Sequence, residues 1–305
     1  MDATLKPRLL TRAEINESAW NRCVEQSPLS LTYGCSWYLD ALCDQQWSGL
    51  IGGDYDAVMP LVWRRKYGIT YLYQPFFCQQ LGLFGESDFL PAFLETIAKH
   101  FRFADIQLHT GTAPLMSDFT ARTTYWLRLN TDYETLRAGY NKDARKNLRR
   151  LEEQYGHCLL AETLDYDSVV ALYREAYGKM NPLITTGHYQ RLTSALRAAA
   201  RHGALESYRL KSRDGTTLAA GVFLRSREHF HYILGGPLER GNTNGVHGLI
   251  DRFIRQHAGS EMTLDFEGSE IPSVAYFYSK FGAEPVPYYR WRMNRLPRLL
   301  RWAKK

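Results

Sequence analysis

The chain has 305 residues, 45% of them apolar and 23% charged, which excludes a disordered or fibrous chain and leaves room for two domains. The formal charge of +6 favours anionic partners such as phosphates, CoA, nucleic acid or a membrane surface, without choosing among them. The five cysteines (Cys23, Cys35, Cys43, Cys78, Cys158) are odd in number and lack metal-ligand spacing, so reduced thiols in a cytoplasmic protein and no metal are expected.

The N-terminus, "MDATLKPRLLTRAE", has no long apolar run, so neither a secretory signal nor a transmembrane start is expected. In chain order, "RLLT" reads as a strand, "INESAWNRCVEQS" and "SWYLDALCDQ" as helices, and "SGLIGG", "AVMPLVWRR" and "TYLYQPF" as strands. "DFLPAFLETIAKHF" is a predicted helix, with strands at "ADIQLHTG" and "TTYWLRLN". The second half runs in the same order. "HCLLAE" is a strand, and "DSVVALYREAYGKM" carries Val169, Leu172, Tyr173 and Ala176 at helical spacing. "TGHYQRLTSALRAAARHG" is a helix with Thr186 as its cap and Gly203 as its stop. "ALESYRLKS", "TTLAAGVFLRS" and "HFHYILGG" are strands, the first two joined by a hairpin at "RDGT". The helix "VHGLIDRFIRQHA", strand "MTLDFEG", helix "SVAYFYSKFGA" and strand "PVPYYRWRM" complete the pattern.

This order predicts an α/β (α+β) protein of two domains with one architecture, each a mixed, mostly antiparallel sheet flanked by helices. The expected divisions are residues 1–130, 131–294 and a basic tail, 295–305. The tail joins Leu296, Leu299, Leu300 and Trp302 to five cations, a composition that suits a tail packed on the body and also peripheral membrane contact.

"YNKDARKNLRRLEEQYG" is the most charged stretch. As a helix from about Asp143 to Gln154 it groups Lys142, Arg145, Lys146 and Arg149 on adjoining faces, with Glu152 and Glu153 in pairing range of Arg149 and Arg145. A solvated, salt-bridged face comes first. An anion clamp built from Arg145 and Arg149 comes second, and a duplex-reading helix last, so no DNA partner is expected.

Four segments carry a family resemblance. "ARKNLRRLEEQYGHCLLAE" is similar to a basic helix and first strand of the second domain in the two-domain GNAT branch, which includes FemAB-type aminoacyltransferases and BioF2-like acetyltransferase domains. "LERGNTNGVHGLI" stands where that fold has its cofactor loop, although Arg240, Gly241, Gly245 and Gly248 fit the usual spacing only loosely. "AYFYSKFGAE" resembles the segment whose tyrosine, here Tyr278, protonates the departing CoA thiolate. In the FemAB-type pattern a Phe-Lys pair stands two residues before the closing Phe-Gly, and here that pair reads Phe277-Tyr278 ahead of Phe281-Gly282, with Tyr278 in the place of the Lys. The absent Lys favours acyl-CoA over aminoacyl-tRNA. "QPFFCQQLGLFG" echoes a cofactor loop through Gln79, Gly82 and Gly85, in what the resemblance implies is a non-catalytic first domain.

The resemblance implies an N-acyltransferase using acetyl-CoA or another acyl-CoA, with a small-molecule, peptide or lipid amine as acceptor. Two alternatives stay open: a tRNA-dependent aminoacyltransferase acting on a peptidoglycan precursor, and an inactive scaffold. Tyr278 and Glu267 are the catalytic candidates, and Arg240, Gly241, Gly245, Val246, His247 and Gly248 the cofactor-binding ones. Arg145, Arg149, His231 and Tyr232 are the substrate-binding candidates. Each has a plainer reading: Tyr278 as a packed ring, Asp265 and Glu267 as caps, His247 as a surface histidine. His231 and Tyr232 are strand neighbours and must face opposite sides.

Overall fold

The structure, a computed structural model, describes residues 6–112, 119–238, 244–268 and 270–297. It divides into two compact units, one of residues 1–122 with 287–305 and one of 123–286.

The first unit begins with β1 (Arg8–Thr11), α1 (Glu17–Gln26) and α2 (Ser36–Cys43). Asn16 caps α1 by accepting the Ala19 amide at 3.1 Å. β2 (Trp47–Gly52), β3 (Ala57–Lys66) and β4 (Ile69–Tyr73) follow, then a short β5 (Phe84–Gly85), α3 (Leu90–His100) and β6 (Phe103–Leu108). β3 and β4 are antiparallel, whereas β4 and β6 are parallel with α3 between them. Leu50, Met59, Leu72, Phe93 and Ile97 are wholly buried in this unit's core.

The second unit holds β7 (Phe119–Arg128, from Thr123 on), α4 (Tyr133–Ala138), α5 (Lys142–Tyr155), β8 (Leu159–Glu162), α6 (Tyr166–Tyr177) and α7 (Thr186–Arg201). Then come β9 (Leu205–Lys211), β10 (Thr217–Arg225), β11 (His229–Pro237), α8 (Asn244–His257), β12 (Thr263–Asp265), α9 (Pro272–Ser279) and the start of β13 (Glu284–Asn294). Its strands run β7-β12-β11-β10-β9-β8, antiparallel except for β11 beside β12. The antiparallel-then-parallel step around α8 repeats the step around α3. The chain thus uses one strand–helix–strand plan twice, a mixed α/β fold of mainly antiparallel pairing.

β13 leaves the second unit at Pro287, and Tyr289–Asn294 pair with β6. A strand that reads in sequence as the end of the second half therefore finishes the first unit's sheet. Leu296 is buried and the Arg295 guanidinium donates to the Ala98 carbonyl at 3.1 Å. The remainder of the basic tail, 298–305, lies outside the described residues. No helix among the described residues is long and apolar enough to cross a membrane. All five cysteines are buried, and none forms a disulfide among the described residues.

α5 shows why the charged stretch folds as a helix. Asn141 accepts the Ala144 amide at 2.9 Å, and Gly156 ends the helix with φ +67°. Ala144, Leu148 and Leu151 are buried at helical spacing. Lys142, Arg145, Lys146, Arg149 and Arg150 are exposed. α8 lies on the sheet with Leu249, Ile250, Phe253 and Ile254 wholly buried, and its Phe253 ring stacks on Phe223 of β10 at 3.6 Å.

Candidate active site

The second unit's sheet splits between β11 and β12. These strands pair at only three positions, His229 with Thr263, Phe230 with Leu264 and His231 with Asp265. β12 then stops because Glu267 adopts φ +61°, a left-handed conformation that a strand cannot continue. The predicted strand through Gly268 is thus shorter. β11 runs on to Pro237, and a bulge at Ile233 interrupts its pairing with β10. Six further residues of β11, roughly 20 Å of strand, have no strand partner on the β12 side among the described residues.

Polar groups gather where the strands part. His231 Nδ1 lies 3.5 Å from Asp265 Oδ2 and 4.0 Å from Glu267 Oε1. The Thr124 hydroxyl of β7 donates to Asp265 Oδ1 at 2.5 Å, and the Glu267 amide donates to the same oxygen at 2.8 Å. The cap reading of Asp265 is part of its role here, since it does accept a backbone amide. Burial alone would raise the Asp265 pKa. Hydrogen bonding to His231, its charge and the Thr124 and Glu267 donors outweigh that and hold it below the usual carboxylate range.

His229, which sequence reasoning passed over, stacks beside His231 at 5.8 Å and against Trp126 at 4.8 Å. Burial, then the neighbouring His231, pull its pKa down to about 4. The unfolded chain takes up a proton here as pH falls through the ordinary histidine value, while the folded chain waits until about 4. Stability is therefore lost on acidification through this window, by about 2 kcal/mol between pH 7 and 5. Melting curves of wild type and His229→Phe should show it: the variant, unable to titrate, should lose visibly less melting temperature over that range. Equal losses would assign the acid sensitivity elsewhere.

Tyr278 packs its ring on Phe266 at 5.3 Å and near Tyr125 at 6.3 Å. Burial, then the Glu267 carboxylate and the Tyr173 and Tyr177 phenols, push its pKa well above the ordinary phenol value. It is therefore a phenol throughout the physiological range. Tyr276 points elsewhere, half exposed, with its hydroxyl donating to Asp143 Oδ2 at 2.7 Å. Tyr232, on the opposite face of β11 from His231, is buried and packs on Phe223 at 5.2 Å.

The other candidates fall in different places. Arg240 and Gly241 lie outside the described residues. Gly245, Val246, His247 and Gly248 form the first turns of α8, all buried. A Cβ on Gly245 would lie 2.6 Å from the Leu218 carbonyl, and one on Gly248 2.3 Å from Leu151. Leu218 also accepts the Leu238 amide, which sets the α8 N-terminus at the C-terminal end of β11. Gly245→Ala should thus cost about 1–3 kcal/mol by overpacking against backbone. A melting temperature unchanged by this substitution would show that the helix end can shift freely. His247 is not on the surface: it is 1% exposed, with Nε2 3.0 Å from the Asn147 amide nitrogen and its ring 4.8 Å from Phe277. Arg145 donates to the Ala138 carbonyl at 2.6 Å, and Arg149 pairs with Glu153 at 3.5 Å. Neither arginine is recorded in contact with the His231–Asp265–Glu267 group.

Residues 138–266 match the family model described as an acetyltransferase (GNAT) domain. No curated protein matches the chain. Among solved structures, FemX is similar with a TM-score of 0.67 at 12% identity, over 98% of this chain and 100% of that one. L-PGS from Bacillus licheniformis aligns with a TM-score of 0.56 at 11% identity, over 93% of both chains. Saccharomyces cerevisiae N-myristoyltransferase with bound myristoyl-CoA aligns at 0.51 and 10% identity, over 96% of this chain and 80% of that one. At these identities the likeness is one of fold.

Proposed function

We propose that the chain is an acyltransferase whose second unit moves an acyl group from an acyl-CoA to an amine, a reading supported by the match of residues 138–266 to the GNAT acetyltransferase domain. The observation that carries this reading is the opening between β11 and β12, with Glu267 and Tyr278 at its apex. An unpaired strand edge binds an extended chain bearing amides, as an added strand would. The pantetheine arm of CoA is such a chain. The α8 N-terminus at the far end of β11 offers amides and partial positive charge to a pyrophosphate. Gly245 and Gly248 serve this reading by letting the helix end sit tightly on β10 rather than by touching the donor.

In the proposed reaction the Glu267 carboxylate takes a proton from the acceptor ammonium. The freed amine attacks the thioester carbonyl, the C–S bond breaks, and the Tyr278 phenol supplies the thiolate with its proton. The two roles help each other. The Glu267 charge is part of what holds the Tyr278 proton so tightly. Once Glu267 has taken up the amine proton the site carries one more positive charge, wherever in it that proton rests, and Tyr278 becomes the better acid as the thiolate forms.

A second reading, transfer of an amino acid from aminoacyl-tRNA, is favoured by the five exposed cations of α5 and by the FemX-like fold. Calorimetry with CoA and acyl-CoAs of several lengths, beside gel shifts with bulk tRNA at physiological salt, separates the two. Binding of CoA or an acyl-CoA is the expected result. No heat with any of them at millimolar concentration, together with salt-resistant tRNA binding, would replace the first reading by the second.

A further inference from the structure

We infer that His231 and Asp265 form a buried proton relay behind Glu267, with His231 storing the proton that Glu267 takes from the acceptor amine. This rests on the acyl-transfer reading above and adds positioning residues to it. The three groups run from surface to interior: the side chains of Glu267, His231 and Asp265 are 16%, 2% and 1% exposed. One imidazole nitrogen, Nδ1, faces both carboxyl groups, at 4.0 Å on the Glu267 side and 3.5 Å on the Asp265 side. A small ring movement would hand a proton from one to the other.

Asp265 is fixed for this task. Its Oδ1 accepts from Thr124 and from the Glu267 amide, so its other oxygen is the one that faces His231. That Oδ2 is buried and, among the described residues, meets only the long 3.5 Å approach of His231 Nδ1. A carboxylate oxygen left so is costly, and a protonated Nδ1 would relieve the cost. His229, the other histidine on the same strand face, stacks on His231 and, among the described residues, has no hydrogen-bond partner for either nitrogen. Its burial keeps it neutral at working pH, so it does not compete with His231 for the transferred proton. Tyr278 lies near Glu267 on the other side, with the Tyr173, Tyr177 and Tyr232 phenols next to it, and Glu228 lies near His229.

The protons balance. The acceptor ammonium gives one to Glu267, which passes it to His231. The proton lost from nitrogen as the amide forms replaces the one Tyr278 gives to the thiolate. The stored proton leaves through Glu267 to solvent, so each turnover yields amide, thiol and one proton.

His231→Gln tests the relay, because glutamine can hydrogen-bond but cannot carry a proton at this pH. The variant should lose about 10- to 100-fold in kcat near pH 7 with little change in either KM. The deficit should shrink as pH approaches about 10, where an amine acceptor is already neutral. A deficit constant across pH, or one confined to KM, would reduce His231 to a structural residue and overturn the relay. Nitrogen NMR of ¹⁵N-histidine-labelled protein gives a readout independent of turnover. The His231 ring-nitrogen signals should shift in both Glu267→Gln and Asp265→Asn, since both carboxyl groups lie near Nδ1, and signals moved by neither substitution would also overturn the proposal. The two readings fail separately. Loss of acyl-CoA binding would remove the transfer reading while the NMR coupling stood, and an inert His231 would remove the relay while acyl transfer stood.

Discussion

Tyr278→Phe is expected to slow acyl transfer by roughly 10²–10⁴-fold while leaving the fold intact. The substitution removes one hydroxyl and keeps the ring that packs on Phe266 and Tyr125. The loss of stability should be about one hydrogen bond at most, about 1 kcal/mol. CoA binding should be unchanged, because the hydroxyl is assigned to the departing thiolate and not to the ground-state donor. Tyr276→Phe is the matched control. Its hydroxyl reaches Asp143 on α5, so it should leave turnover near wild type. A Tyr278→Phe enzyme of normal rate would leave solvent to protonate the thiolate. A large drop in melting temperature without a kinetic defect would make Tyr278 a packing residue.

Glu267→Gln should cost a similar factor, about 10²–10³ in kcat, as the loss of a positioned base. Glutamine keeps the volume and can adopt the same φ +61° turn at the end of β12, so the backbone should hold. The Glu267 amide, which anchors Asp265, is untouched. The substitution also has an optical signature. It removes a negative charge that raises the Tyr278 pKa, so that phenol should ionise at lower pH than in wild type, as followed by ultraviolet titration. An unaltered phenol titration would mean that Glu267 and Tyr278 do not share the site. A normal rate with a shifted titration would keep the pair but move the base elsewhere.

Much of the fold follows from local pattern. β10 and β11 read as strands because their apolar runs are broken by the "RDGT" turn and by "SRE". α5 reads as a helix from Ala144, Leu148 and Leu151, and Asn141 supplies its cap. Small elements escaped: the six-residue α4 and the two-residue β5 have too few positions to show a period. α7 begins one cap earlier than expected, at Thr185, where His188 closes a capping box in place of the usual acid. The fate of β13 could not be read locally, since its pairing with β6 joins residues nearly two hundred positions apart.

The site was legible in part. Tyr278 follows from a motif and Glu267 from a strand end, and the structure sets them within electrostatic range of each other. His231 was read as one of two alternatives on β11, and geometry brings His231 rather than Tyr232 to the carboxyl groups. Thr124 and His229 were missed. Thr124 meets Asp265 across 141 residues of sequence, and no local signal marks such a hydrogen bond. His229 carried one weak signal, its two-residue spacing from His231 on a strand face. His247 was misplaced because a histidine in a first helical turn reads as exposed, whereas α5 and α9 cover this one.

The most direct test of the account is amine-dependent release of free thiol from acyl-CoA, followed by thiol titration and mass detection of the acylated amine. Wild type should release thiol only when an acyl-CoA and an amine are both present, one thiol per amide formed. Glu267→Gln and Tyr278→Phe should bind the donor and release almost none. Amide formation that proceeds from aminoacyl-tRNA, with no thiol released from any acyl-CoA across a panel of amines, would contradict the account.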